Sequence, residues 1–201
     1  MQASIDALCA GEVVLLPTDT VYGLAAIPSK ESCAEISRLK GRSANQPIAW
    51  LVNNNLFLQF AQDIPDYAKR LIDEFWPGAL TLVVEASEDA HEFGCVPEDG
   101  TLAMRCPDNE FCLDIINALK NPLACTSANK HGKQAPFLRE EIDSSFLHLA
   151  KDSLPQRCAG NIASTIVDCT GRLPFILREG SIDANAIERA CGLNVKLAKK
   201  S

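Results

Sequence analysis

The chain has no cysteine pair at the two-residue gap of a zinc knuckle or a redox motif, although nine cysteines are spread over its 201 residues. They stand at 9, 33, 95, 106, 112, 125, 158, 169 and 191. Histidine is scarce, and His91, His131 and His148 form no metal pattern, so no metal site is expected. His131 reads as an ordinary loop residue, polar and exposed. No Gly-x-x-x-x-Gly-Lys-Ser/Thr loop occurs, which argues against a Walker-type nucleotide site. No Gly-x-Gly-x-x-Gly follows a strand, and no Gly-x-Ser-x-Gly elbow is present, which argues against a dinucleotide fold and a hydrolase nucleophile. No apolar run approaches the length that spans a bilayer. Basic charge is in deficit, with 19 Lys and Arg against 26 Asp and Glu, net −7. Bulk electrostatic binding to nucleic acid is therefore not expected, although a local basic pocket is compatible with that balance. The start, Met1-Gln2-Ala3-Ser4-Ile5-Asp6, lacks a basic segment and a long apolar segment of the secretory kind. Reduced thiols in a cytoplasm are the expectation.

What is present suits one domain, expected over residues 4–190, with a C-terminal tail over 191–201 that is basic and frayed from Lys196. The apolar fraction, 47%, is ordinary for a globular protein. Strand and helix patterns alternate. Strands are predicted at Glu12–Leu16, Ile48–Val52, Leu80–Val84, Thr101–Arg105, Pro122–Thr126, Ser164–Asp168 and Phe175–Leu177. Helices are predicted from Ser29 to Leu39, Asp66 to Phe75, Glu110 to Leu119, Phe137 to Leu149 and Asp183 to Ala190, with a polar loop at Asp89–Gly100. The alternation predicts an α/β fold whose mixed sheet, with flanking helices, has substantial parallel pairing, antiparallel in part near its C-terminal strands.

Four clusters concentrate polar chemistry. Pro17-Thr18-Asp19-Thr20-Val21-Tyr22-Gly23-Leu24 follows the apolar run Val13–Leu16, so three hydroxyls and a carboxylate arrive at a strand's carboxyl end. Ligands of open α/β sheets bind there, although Thr18 or Asp19 also suits a helix cap. Lys40-Gly41-Arg42 places a left-handed C-cap candidate between two cations. The cations could face one cleft and a polyphosphate, or settle a helix dipole. Thr126-Ser127-Ala128-Asn129 ends a strand with small donors, suited to an anion cradle or to an Asx turn. Finally Thr101, Arg105, Ser164, Thr165 and Arg178 stand at strand ends, where an arginine needs a carboxylate or a ligand.

In this order, the clusters resemble the threonylcarbamoyl-AMP synthase family, the YrdC-like domain, in its short single-domain form. The resemblance also takes in Trp76-Pro77-Gly78-Ala79-Leu80-Thr81, Met104-Arg105-Cys106-Pro107, Ser164-Thr165-Ile166-Val167-Asp168 and Ile176-Leu177-Arg178-Glu179-Gly180. It implies a twisted, mostly parallel α/β sheet with a ligand cleft in a basic concavity. It implies an enzyme that joins L-threonine, bicarbonate and ATP, with Mg²⁺ bound to the ATP, into threonylcarbamoyl-AMP and pyrophosphate. A separate tRNA-modifying transferase complex would take the product, with weak tRNA binding and no membrane as further expectations.

Carried over by position, Thr20, Arg105, Ser164 and the backbone at Cys125 would hold L-threonine. Lys40, Arg42, Gln46, Thr101, Ser127, Asn129, Ala135 and Arg178 would hold ATP, with Lys40 and Arg42 as the catalytic cations. The chain departs from the family pattern at Ser43, where Pro is frequent, at Gln46, where Asn is frequent, and at Leu51, where some relatives have His. An RNA-binding module and an altered-substrate paralogue of the same fold are the alternatives. A carbamoyl-adenylate module of the hydrogenase-maturation type would need zinc-finger and acylphosphatase segments that this sequence does not contain.

Overall fold

The computed structural model describes residues 1–43 and 46–198. In chain order the elements are α1 (Gln2–Cys9), β1 (Val14–Leu16), β2 (Gly23–Ala26), α2 (Lys30–Lys40), β3 (Ala49–Leu51), α3 (Asn54–Phe60), β4 (Ala61–Gln62), α4 (Asp66–Phe75) and β5 (Leu80–Ala86). They continue with α5 (Glu88–His91), β6 (Thr101–Arg105), α6 (Glu110–Leu119), β7 (Leu123–Ser127), β8 (Thr165–Asp168), β9 (Phe175–Arg178), α7 (Ala184–Cys191) and β10 (Lys196–Leu197). Local chemistry sets many of the boundaries. Ser29 caps α2 by accepting from Ser32 N at 3.0 Å, and Gly41 ends it at φ 67°, where a side chain would be strained. Asn53, Asn109 and Asp183 cap α3, α6 and α7 in the same way.

The strands form one sheet in the order β1-β2-β7-β3-β6-β5-β8-β9-β10, with β4 on β5. The sheet is mixed, as expected, but it is not mostly parallel. Three pairings are parallel, β3 with β6, β5 with β8 and β9 with β10. Six are antiparallel among the described residues. Two of the six come from β2, which the sequence pattern does not announce. Gly23, Ala25 and Ala26 have poor strand propensity, yet the segment pairs antiparallel to both β1 and β7 and is fully buried. Tertiary pairing overrides propensity there.

Two further expectations are corrected. Phe137–Leu149 is not a helix but two 3-10 turns, Arg139–Glu141 and Ser144–Leu149. The Glu141 carboxylate reaches back to the N–H groups of Phe137 and Leu138, and Asp143 starts a new turn by accepting from Ser145. The tail is not frayed from Lys196. Cys191 closes α7, and Lys196 and Leu197 pair with Phe175 and Ile176 at the sheet edge. Residues 199–201 of the expected tail lie outside the described residues. Within the polar loop, Glu88–His91 forms one helical turn, capped by Ser87.

Side chains alternate across a strand, so each strand has two faces. On one face Trp50, Leu82, Met104, Ala124 and Val167 are buried in the hydrophobic core. Trp50 packs edge-on against Phe60 and Phe93, at centroid distances of 5.6 and 5.1 Å. The intervening residues face the other way, and they build the site.

Candidate functional site

The opposite face of the central strands lines a cavity of about 550 Å³, within the range of small-molecule sites. Much of its wall is made of alternate residues: Ala49 and Leu51 on β3, Thr81 and Val83 on β5, Thr101, Ala103 and Arg105 on β6, Ile166 and Asp168 on β8, with Cys125, Thr126 and Ser127 at the end of β7. Register brings them together. Leu51 lies beside Arg105, Ala49 beside Cys125, Thr81 beside Ile166, and Val83 between Ala103 and Asp168. The site is thus mainly a sheet face, with the Thr18–Gly23 segment along its edge. Sequence reasoning placed the polar clusters at strand ends and did not read a sheet face. Alternation of small or polar residues with large apolar ones was the signal for the face.

The Thr18–Thr20 turn is held by its own hydroxyls. Thr18 Oγ1 accepts from the N–H groups of Thr20 and Val21, at 3.1 and 3.2 Å, and donates to Val21 O at 2.7 Å. Its single proton being used, the 3.0 Å contact with Thr20 Oγ1 makes Thr20 the donor. Thr20 Oγ1 in turn accepts from Arg105 Nη1 at 2.9 Å. Arg105 also donates from Nη2 to Asp19 Oδ2 at 2.5 Å and from Nε to Gly78 O at 2.8 Å. Both members of that ion pair are about nine-tenths buried, with side chains 7% and 9% exposed. The arginine that needed a partner at a strand end has a protein carboxylate, and it still lines the cavity. In the sequence Asp19 is a carboxylate at a strand's end, suited to a ligand or a cap; nothing local reveals a partner that stands 86 residues away.

Lys40 and Arg42 part company. Lys40 is the last residue of α2 and does not line the cavity. Its ammonium is buried and donates to Ser127 O, to Asn129 O at 2.7 Å and to Asn129 Oδ1 at 3.3 Å. Burial, and then the charge of Arg42, lower its pKa to about 8. Lys40 therefore buttresses the Ser127–Asn129 turn from behind. Arg42 does line the cavity, and its Nε and Nη2 are buried without a hydrogen-bond partner among the described residues. Burial lowers its pKa as well.

At the other flank, Arg178 donates from Nε and Nη2 to Ser164 O at 3.2 and 2.8 Å, and more weakly to Ser164 Oγ at 3.3 Å. Ser164 Oγ also meets Thr81 Oγ1 at 2.8 Å. Thr101 donates its hydroxyl to Asp99 at 2.9 Å, and Asp168 takes the Thr170 hydroxyl at 2.7 Å. The concavity is consequently less basic than expected: Arg42, Arg105 and Arg178 line it together with Asp99 and Asp168. Thr81, Asp99 and Asp168 are wall residues that sequence reasoning did not select.

Of the residues selected, the cavity wall collects Thr20, Arg42, Thr101, Arg105, Cys125, Ser127, Ser164 and Arg178. It does not collect Lys40, Gln46, Asn129 or Ala135. The Asn129 amide is spent on its own loop, donating to Lys130 O and Lys133 O at 3.0 and 2.7 Å. Ala135 precedes Pro136, whose carbonyl accepts from Tyr22 N at 2.9 Å, and Gln46 is exposed. His131 is exposed, with its N–H on Lys40 O at 2.8 Å. Cys125 presses its sulfur against Gly23, where an added Cβ would lie 2.6 Å from Sγ. Burial pushes the Cys125 thiol up to about 12, against the opposing pull of Arg105 and Lys40.

A family model, Sua5/YciO/YrdC, described as telomere recombination, matches residues 6–180. The chain is 34% identical over 192 residues to a Bacillus subtilis protein named threonylcarbamoyl-AMP synthase, covering 90% of this chain and 53% of that protein. It is 34% identical over 189 residues to a Pyrococcus abyssi protein of the same name, covering 90% of this chain and 54% of that one. The chain thus spans about half the length of these two relatives. The crystal structure of P. abyssi Sua5 complexed with L-threonine superimposes with a TM-score of 0.86 at 29% identity, covering 97% of this chain and 58% of that one.

Proposed function

This chain belongs to the Sua5/YciO/YrdC family, and on that premise we propose that it is a threonylcarbamoyl-AMP synthase, joining L-threonine, bicarbonate and ATP with release of pyrophosphate. The observation that carries the reading is the arrangement of cations over one sheet face. Arg105 ends the central strand β6 beside the Thr20 hydroxyl, while Arg42 before β3 and Arg178 on β9 line the same cavity. A central arginine with hydroxyls suits an amino-acid carboxylate and side-chain hydroxyl. Flanking arginines suit the phosphates of a nucleotide.

In this reading Thr20, Arg105, Ser164 and the Cys125 backbone hold L-threonine. Arg42, Thr101, Ser127 and Arg178 hold ATP, and Lys40 and Asn129 keep the Ser127 turn in place behind them. Gln46 and Ala135 would reach the nucleotide only from the rim. The threonine amine takes up bicarbonate with loss of water, and the resulting N-carboxylate attacks the α-phosphate as pyrophosphate departs. Such chemistry needs positioning and charge stabilisation, not a protein nucleophile. That suits a wall of Arg, Ser and Thr in which the one thiol, Cys125, stays protonated. Mg²⁺ is written here as part of the substrate, carried on the ATP phosphates. The product would pass to a tRNA-modifying transferase complex, with any direct tRNA contact weak because the chain is net negative. Nine unpaired cysteines support a cytoplasmic setting, and no described helix is long and apolar enough to cross a membrane.

The test is pyrophosphate release measured with each amino acid in turn, with and without bicarbonate. Release that requires threonine and bicarbonate together is expected. Release indifferent to either would overturn the reading.

A further inference from the structure

Thr81 sets a hydroxyl into an apolar strand. It is the second residue of β5, between Leu80 and Leu82, which both belong to the hydrophobic core. Thr81 itself lines the cavity and is only 2% exposed. A hydroxyl at that depth is costly unless it is hydrogen-bonded. Among the described residues its partner is Ser164 Oγ, at 2.8 Å. The backbone around Ser164 is fixed without help from Thr81. Thr165 N–H bonds Ala79 O at 3.0 Å, and Thr165 Oγ1 donates to Ile182 O at 2.6 Å while accepting from Gly180 N at 2.9 Å. Gly180 lies so close that an added Cβ would stand 2.5 Å from Ser164 C. Arg178 grips Ser164 O from Nε and Nη2. What remains to be set is the Ser164 side chain and the direction of its proton.

Counting protons decides that direction. A hydroxyl donates once and accepts up to twice, and an arginine only donates. Ser164 Oγ therefore accepts from Arg178 Nη2, at 3.3 Å. If Ser164 donated to Thr81, its single proton would be spent, and the Thr81 proton would be left buried without an acceptor among the described residues. If Thr81 donates, its proton is satisfied and Ser164 accepts from two sides. The Ser164 proton is then the one left over, and Ser164 lines the cavity. An acceptor in the cavity completes the chain. Hydrogen bonds accepted by an oxygen also strengthen the one it donates.

We propose that Thr81 is a positioning residue for the amino-acid substrate: it donates to Ser164 Oγ and so aims the Ser164 proton at the substrate carboxylate. The inference rests on the synthase reading, in which Ser164 meets L-threonine. A carboxylate only accepts, so it matches the one proton that the chain leaves free. Thr81 does not touch the substrate in this arrangement. Its whole effect passes through Ser164, on the threonine side of the cavity, and the phosphates held by the arginines do not depend on it.

The experiment titrates the full chain with L-threonine, and separately with ATP, by calorimetry. Thr81→Val keeps the branched shape and removes the hydroxyl. It should weaken L-threonine binding about tenfold, the loss of one hydrogen bond in a buried site, and leave ATP binding as in wild type. Thr81→Ala, which also lacks the hydroxyl, should weaken L-threonine in the same way, and Thr81→Ser should restore it. In a Ser164→Ala background, adding Thr81→Val should change nothing further, because nothing is left to position. Wild type that binds L-threonine while Thr81→Val and Thr81→Ala bind it equally well would overturn this inference alone. So would an equal loss of ATP binding, or a Thr81→Val effect that persists in full beside Ser164→Ala. Wild type that binds no L-threonine would overturn the synthase reading and this inference together.

Discussion

Replacing Asp19 removes the counter-charge of an arginine whose side chain is only 7% exposed. Two charges taken from water are tolerable only while each partner is satisfied, and breaking such a pair from one side costs about 3–5 kcal/mol. The lower half of that range is expected here, because Arg105 keeps Gly78 O at 2.8 Å and Thr20 Oγ1 at 2.9 Å when Asp19 is gone. Removing Arg105 instead leaves a buried carboxylate whose Oδ1 already lacks a partner. Asp19→Leu and Arg105→Met should therefore each lower the melting temperature by roughly 6–16 °C, at the slope usual for a chain of this size. The double variant removes both charges at once and should lose less than the sum. A coupling of about 2–3 kcal/mol is expected from urea midpoints across the four proteins. If the double variant equals the sum within about 0.5 kcal/mol, the pair is not coupled and the argument from burial fails.

Arg42→Ala should slow pyrophosphate release by about 10²–10³-fold, as for one preorganised donor, while leaving the melting temperature unchanged or slightly raised. A variant that turns over normally but unfolds early would make Arg42 structural. Gly23→Ala should cost about 1–3 kcal/mol through overpacking on the Cys125 sulfur, and Gly23→Ala with Cys125→Ala should recover most of it, with Cys125→Ala alone retaining activity. A double variant as unstable as Gly23→Ala would place the conflict elsewhere. Lys40 titrates near 8 when folded against 10.5 as its ordinary value, so between these the unfolded chain holds a proton the folded chain has released. Stability then rises with pH across that window, and urea midpoints of wild type should gain on Lys40→Met from about pH 8 upward. A difference that stays flat with pH would refute the assignment.

Local chemistry alone determined a good part of this protein. The Ser29 cap and the Gly41 stop delimit α2, Pro77 and Gly78 follow the end of α4, and the spans Asp66–Phe75, Thr101–Arg105 and Glu110–Leu119 are legible to the residue. Caps, turns and apolar periods act within a few residues, so a sequence carries them openly. The polar clusters around Thr20, Arg42, Ser127 and Arg178 were legible for the same reason. What lies beyond a few residues was not. Whether a strand's alternate face meets a helix or a cavity depends on the neighbouring strand, so Thr81 and Asp168 became wall residues only when β5 and β8 came into register. β2 exists because β1 and β7 enclose it, not because glycine and alanine prefer it. Lys40 and Arg42 look equivalent two residues apart, yet a turn 87 residues away takes the ammonium of the first and leaves the second facing the cavity. Such pairings are long-range contacts, bought with chain entropy and decided by the whole fold, and only the tertiary structure could assign them.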